Sequence, residues 1–282
     1  MNKEKEVISL IETYIKKGNA NIELFTINLI TNLRKLISNE ELKAIIEKRL
    51  LQKKIYFIRH AEAEHNVLER KYKGDFSKCN IYDPMLTRLG AEQTKFTIEK
   101  LKKENINFEI IYVSPLLRTL QTFFLIQNYL NKNSPVFITD FVREVLSYCD
   151  KNKGHTLSVL KKELKSEKLN FDYMTKEFWW NDFGKNKGDE LETQLFFNIR
   201  LRIFVLWLIF RPEKNILIIS HSHVFVALQN KGIYNADLAR MNNQILFQKT
   251  MELIYLEIIE YKPKKANGNK SKKNNVNKIR KK

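Results

Sequence analysis

Two histidines and two arginines fall where short apolar runs end. KKIYFIR at 53–59 closes on Arg59 and leads into His60. FEIIYVS at 108–114 leads into Pro115, with Arg118 shortly after, and KNILIIS at 214–220 leads into His221. In an open α/β sheet, ligands bind beyond the carboxyl ends of the strands. One histidine after a strand is usually a hydrogen-bonded structural residue. Two of them with two arginines, all at such ends, suit one kind of reaction. Planar guanidinium groups engage the charged oxygens of a phosphoryl group bidentately. A neutral imidazole, with an unperturbed pKa of about 6.5, is a competent nucleophile near neutrality. The leaving alkoxide requires a proton, so a carboxylic acid should lie close by. No phosphate-cradling Gly-rich loop and no cluster of Asp residues is visible. The economical expectation is a covalent route with neither a metal nor a cofactor.

The elements that must position these residues alternate. KKIYFIR, FEIIYVS, PVFITD at 135–140 and KNILIIS are short, apolar and β-rich, as buried strands are. Between them, 86–104 reads as a helix capped by Thr87, and PLLRTLQTFFLIQNYL as a helix with Pro115 in its first turn. A long helix is expected at about 190–210 and another over HVFVALQNKG, with two closing strands at about 244–248 and 252–259. The pattern predicts an α/β fold, a mainly parallel sheet with helices on both faces. Residues 1–52 carry apolar positions at helical spacing, broken at Gly18-Asn19, and are expected to form a helical extension. The domain is expected over 53–260, with an inserted cap at about 144–188, followed by a disordered basic tail over 261–282.

RHAEAEHN at 59–66, DPMLTRLGAEQT at 83–94, VSPLLRTLQT at 113–122 and IISHSH at 218–223 resemble, in order, the motifs of the histidine phosphatase superfamily, the phosphoglycerate mutase-like proteins. The resemblance covers about residues 53–260 and leaves out the amino-terminal helices and the tail. It implies that His60 is the phosphorylated nucleophile and that Arg59, Arg118 and His221 bind phosphoryl oxygens, with Asn66 adding a neutral donor. It also implies an acid shortly after the third strand. Glu144 fits that place, and Asp140 competes with it. Two positions depart from the usual pattern: Ala61 and Ser222 stand where glycine is usual. Alanine resists a backbone with positive φ, and Ser222 either crowds the site or donates a hydrogen bond.

Phosphatase and mutase share the phosphohistidine and differ in whether water reaches it. SPLLRTLQT is closer to the phosphatase form of its motif. VLSYCDKNKG after Glu144 lacks the Tyr-Gly segment of cofactor-dependent mutases, and Ser222 replaces a glycine typical of them. The expectation is a metal-independent phosphomonoester hydrolase acting on a phosphorylated small molecule or phosphoprotein. Mutase-type transfer is one alternative, and a non-catalytic binder of phospho-ligands or nucleic acid another.

The formal charge of +18 is unevenly spread, with more than half of it in the acid-free stretch from Lys262 onward. That stretch suits a solvated tail, or one that binds RNA, an acidic lipid surface or a nuclear import receptor. Cys79 and Cys149 form no disulfide framework, MNKEKEVISL lacks a secretory pattern, and the apolar run at 195–210 carries Arg200 and Arg202. A cytoplasmic protein without a membrane span is expected, with a nuclear location open because of the tail.

Other residues carry plainer expectations. His65 and His223 border the pocket with either substrate or structural roles, and His155 is surface. Trp179-Trp180 pack the cap rather than line the pocket. Glu190 and Glu192 are expected to form surface pairs with Arg200 or Arg202, and Arg143, Lys151 and Lys153 hint at an anionic substrate.

Overall fold

The computed structural model describes residues 3–17, 22–73, 75, 78, 81–146, 150–165, 169–174, 176–180 and 192–255. The tail over 261–282, the break at Gly18-Asn19, both cysteines, Glu190 and the predicted strand residues 256–259 lie outside them.

Three helices lead: α1 (Lys3–Lys17), α2 (Ile22–Leu36) and α3 (Asn39–Leu50). The α/β portion then runs β1 (Lys54–Arg59), α4 (Glu64–Lys71), α5 (Arg88–Glu104), β2 (Ile110–Val113), α6 (Leu117–Ile126) and β3 (Val136–Ile138). It continues with α7 (Leu157–Glu163), β4 (Leu169–Asn170), α8 (Gln194–Phe210), β5 (Asn215–Ser220), α9 (Ser222–Gln229), β6 (Leu238–Arg240) and α10 (Asn243–Ile254).

The strand order is β4-β3-β2-β5-β1-β6. All pairings are parallel except β1 with β6, so the sheet is the mainly parallel one expected. Arg59 pairs with Ser220 and Val113 with Ile219, which sets the carboxyl ends of β1, β5 and β2 side by side. His60, Ser114 and His221 each come directly after one of these ends.

Strand residues alternate between two apolar layers, because successive side chains point to opposite faces. Ile55, Phe57, Ile110, Tyr112, Ile216 and Ile218 join a layer with α1, α2, α3, α8, α9 and α10. Tyr56, Ile58, Ile111, Val113, Leu217 and Ile219 join one with α5, α6 and α7. Helix α8 is buried along most of its length, since the sheet side and α1, α2 and α3 both cover it. The amino-terminal helices therefore share a core with the sheet. Arg49 Nε donates to Glu4 Oε1 at 2.7 Å, tying α3 to α1 within that layer. Among the described residues no helix is long and apolar enough to cross a membrane.

The carboxyl-terminal expectation fails. Residues 244–248 and the described part of 252–259 are not strands, and Asn243–Ile254 is helix α10. Asn242 caps it by accepting from the Gln244 and Ile245 N–H groups, and Asn243 Nδ2 donates to the Leu50 and Lys53 carbonyls. Leu246, Thr250, Leu253 and Ile254 are its buried residues, a helical stripe rather than an alternation. The antiparallel edge strand is instead β6, over a stretch whose pattern gave no strand signal. Helix α6 begins at Leu117, so Pro115 precedes the helix rather than sitting in its first turn. Asp83 Oδ1 accepts the Leu117 N–H at 2.9 Å, a cap supplied from elsewhere in the chain. Thr87 caps α5 as expected, its side chain accepting from the Gly90 N–H at 2.9 Å.

Candidate active site

The three adjacent strand ends bring His60, His221 and Arg59 together, and the first turn of α6 adds Arg118. All but the partly exposed Arg59 are buried. The His60 ring centroid lies 5.2 Å from that of His221 and 5.6 Å from that of His65. His60 Nδ1 is 2.7 Å from the Ala61 carbonyl oxygen. A carbonyl only accepts, so Nδ1 carries the proton and Nε2 keeps its lone pair. Burial, then the charges of Arg118 and Arg59, push His60 well below its ordinary pKa, which keeps the ring neutral. His221 is driven down by burial first and Arg118 next. Its Nε2 bonds to Ser114 Oγ at 2.7 Å.

The arginines are anchored yet incompletely satisfied. Arg59 Nη1 donates to the Ile233 carbonyl at 3.0 Å. Arg118 Nη1 donates to the Lys151 carbonyl at 2.8 Å and Nη2 to Asn152 Oδ1 at 2.9 Å. Arg59 Nε, Arg118 Nε and His221 Nδ1 are buried with no partner among the described residues, an arrangement suited to an anion with several oxygens. Burial lowers Arg118 to about 10 against the pull of Asp83, Glu144 and Glu69, so it remains charged at neutral pH.

Asn66 belongs to the cluster through the start of α4. Its Oδ1 accepts from the Ala63 N–H at 3.1 Å, and its Nδ2 lies 3.0 Å from His65 Nε2. The amide nitrogen donates, so His65 Nε2 accepts and its buried Nδ1 carries the proton without a partner among the described residues. Ala61 does not have a positive φ, so the methyl group in place of the usual hydrogen is accommodated. Its N–H donates to Thr122 Oγ1 at 3.0 Å, one helical turn beyond Arg118. Ser222 opens α9 directly after the capping residue His221.

Glu144 comes just after the 3-10 turn Asp140–Val142, and a buried ion network fixes that turn. Arg200 Nη1 donates to the carbonyls of Asp140, Phe141 and Arg143 at 3.2, 2.6 and 3.2 Å. Glu192 accepts from Arg143 Nη1 at 2.8 Å, from Arg200 Nε and Nη2 at 2.9 Å each, and from the Leu146 N–H at 3.3 Å. Glu192 thus pairs with Arg200 as expected, but in the interior rather than on the surface, and Arg143 is no substrate contact. Both are interior groups bracketing Glu144. Glu144 Oε1 accepts the Val145 N–H at 2.9 Å, and Oε2 lies 3.0 Å from His223 Nδ1. Its charge also acts on Arg59 and Arg118. Asp140 lies within the turn itself, its carbonyl engaged by Arg200.

Within the stretch expected to form a cap, Trp179 is fully buried and its Nε1 donates to the His155 carbonyl at 2.8 Å, so it packs rather than lines a pocket. Lys151 forms an ion pair with Glu69, and Lys153 pairs with Asp150 at 2.8 Å. Sequence reasoning missed Thr122, Asn152 and Asp83 as supports of the site. Thr122 could have been found from its helical spacing after Arg118. Among the described residues no group of three or more His, Cys, Asp or Glu side chains could hold a metal ion.

Residues 55–269 match the model of the histidine phosphatase superfamily (branch 1), and the chain belongs to that superfamily. It is a phosphatase or mutase-like enzyme. Phosphoglycerate mutase-like protein 1 of Arabidopsis thaliana is 28% identical over 217 residues, covering 64% of this chain and 73% of the relative. The ecdysone phosphate phosphatase of Bombix mori, solved with tungstate, is 15% identical with a TM-score of 0.46, covering 67% of this chain and 89% of that one. A mycobacterial glucosyl-3-phosphoglycerate phosphatase, solved with VO3, is 16% identical with a TM-score of 0.42, covering 67% and 90%.

Proposed function

We propose that this protein is a metal-independent phosphomonoester hydrolase in which His60 carries the phosphoryl group. The observation that supports it most is the His60 tautomer: a neutral ring with Nδ1–H held by the Ala61 carbonyl and a free Nε2 lone pair, beside two arginines. In the first step Nε2 attacks phosphorus and the bond to the leaving oxygen breaks. Arg59, Arg118, His221 and Asn66 hold the phosphoryl oxygens, where fixed donors in a buried site favour the charge of the transition state. Glu144 delivers the proton to the leaving alkoxide, a contribution of roughly 10²–10⁴ in rate. In the second step water attacks the phosphohistidine, Glu144 takes its proton, and phosphate leaves with His60 Nε2 restored.

The substrate class we propose is a phosphorylated small molecule. Mutase-type transfer is the alternative, and the relative of Arabidopsis thaliana carries that resemblance in its name. Hydrolysis of an aryl phosphate in a chelator, by wild type and His60→Ala, tests the reading. Activity that survives chelation and disappears with His60 is expected. Turnover that occurs only with 3-phosphoglycerate and a bisphosphorylated cofactor would select the mutase alternative.

A further inference from the structure

We infer that His223 is a positioning residue that relays protons between solvent and Glu144, so that the two side chains work as one acid–base unit. This rests on the phosphohistidine reading above and extends it to a residue with no role there. The geometry carries it. His223 sits in the first turn of α9, two residues after His221, and its side chain is 68% exposed, whereas that of Glu144 is 9% exposed. Nδ1 meets Oε2 at 3.0 Å, and the other carboxylate oxygen accepts the Val145 N–H. The enclosed carboxyl thus reaches water through an exposed imidazole.

The charges around the pair set which partner holds its proton. Burial pushes Glu144 up, but the His223 hydrogen bond and charge, the Val145 N–H and Arg118 outweigh it and leave Glu144 below its ordinary range. With His223 beside it, Glu144 is a carboxylate at neutral pH with no proton of its own to give. His223 is raised by its hydrogen bond to Glu144 and by that charge. Burial, Lys151 and Arg59 oppose the rise, as does the positive end of α9. The proton missing from Glu144 therefore resides on the imidazole, one hydrogen bond away.

The cycle balances. As the phosphorus–oxygen bond breaks, the leaving oxygen takes a proton from Glu144, which takes one from His223 Nδ1, leaving a carboxylate and a neutral imidazole. When water attacks the phosphohistidine, its proton passes to Glu144 and on to His223, and the phosphorus–nitrogen bond breaks toward His60. The pair ends as it began, and His223 can exchange with solvent at either stage.

Leaving-group dependence tests this directly. A primary alkyl phosphate needs a proton donor in the first step, and 4-nitrophenyl phosphate scarcely does. His223→Gln keeps the polar contact and removes the titrating group at an exposed position. Its kcat/KM is expected to fall more than ~10-fold further on the alkyl substrate than on the aryl one. The alkaline limb of the alkyl pH profile is expected to move down by about one unit or more. In a Glu144→Gln background, His223→Gln should add no further discrimination. Equal losses on both substrates with an unmoved limb would overturn the relay, as would fully multiplicative losses in the double variant. Failure of the underlying reading is separately visible: His60→Ala would then retain activity on both substrates.

Discussion

The side chain of Asn152 holds the guanidinium of Arg118: Nη2 donates to Oδ1 at 2.9 Å, and Asn152 Nδ2 in turn donates to the Val145 carbonyl at 2.7 Å. Val145, next to Glu144, and Arg118 of α6 are thereby joined through Asn152, and the proposed acid and the proposed phosphate ligand are braced through one amide. Asn152→Ala leaves a buried guanidinium short of an acceptor, a loss of about 1–3 kcal/mol. KM and the inhibition constant of inorganic phosphate are expected to rise roughly tenfold, since about 1.4 kcal/mol is a factor of ten. Steady-state kinetics with phosphate as product inhibitor reads both. Unchanged phosphate inhibition would separate Arg118 from phosphate binding.

Glu192 lies between Arg143 and Arg200 with all three side chains buried. Removing one partner from such a group strands the others, at about 3–5 kcal/mol. Glu192→Ala is expected to lose stability of that order in urea unfolding and to reduce turnover through the loosened turn at Asp140–Arg143. A loss under about 1 kcal/mol would show that the network is compensated elsewhere.

Asp83 provides a pH signature. Burial raises its pKa to about 6, against the Leu117 N–H, Arg118 and His155. Because the native state holds this proton more tightly than the unfolded chain, the stability Asp83 contributes falls as pH rises from about 4 to about 6. Asp83→Asn removes that dependence whatever constant offset it adds. The variant is expected to gain on wild type by up to ~3 kcal/mol across this window, measured as unfolding free energy at a series of pH values. A constant difference would contradict the assignment.

Helices α1–α3 cover α8, which is otherwise apolar on its outer side. Deleting residues 1–52 would expose that surface, so the truncated chain is expected to aggregate or to lose cooperative unfolding. A truncated protein with wild-type activity and a sharp melt would mean the helices are dispensable.

Legibility in the sequence tracks locality. His60, His221, Arg59 and Arg118 can be read directly because each sits at or just after a short apolar run, and chain connectivity alone puts such residues at a strand end. Asn152 is illegible because its partner Arg118 is distant in sequence, and for Glu192 the pair with Arg200 could be read but neither its burial nor its second partner, Arg143. Glu192 looks like an ordinary helix-surface charge until two arginines meet it inside. The strands expected near the carboxyl terminus fail for a different reason. Ile245, Phe247 and Met251 mimic alternation locally, and only the burial of Leu246, Thr250 and Leu253 identifies the helical face. The role of α1–α3 is equally hidden, since nothing in their own pattern names α8 as the surface they cover.

The most direct test of the central claim is to mix the enzyme rapidly with substrate, quench in alkali and locate the phosphate by mass spectrometry. With 4-nitrophenyl phosphate, whose first step scarcely needs the Glu144 proton, an alkali-stable, acid-labile phosphate is expected on the peptide bearing His60, absent in His60→Ala and accumulating when Glu144→Gln slows the second step. Phosphate on a different residue, or rapid hydrolysis by His60→Ala, would contradict it.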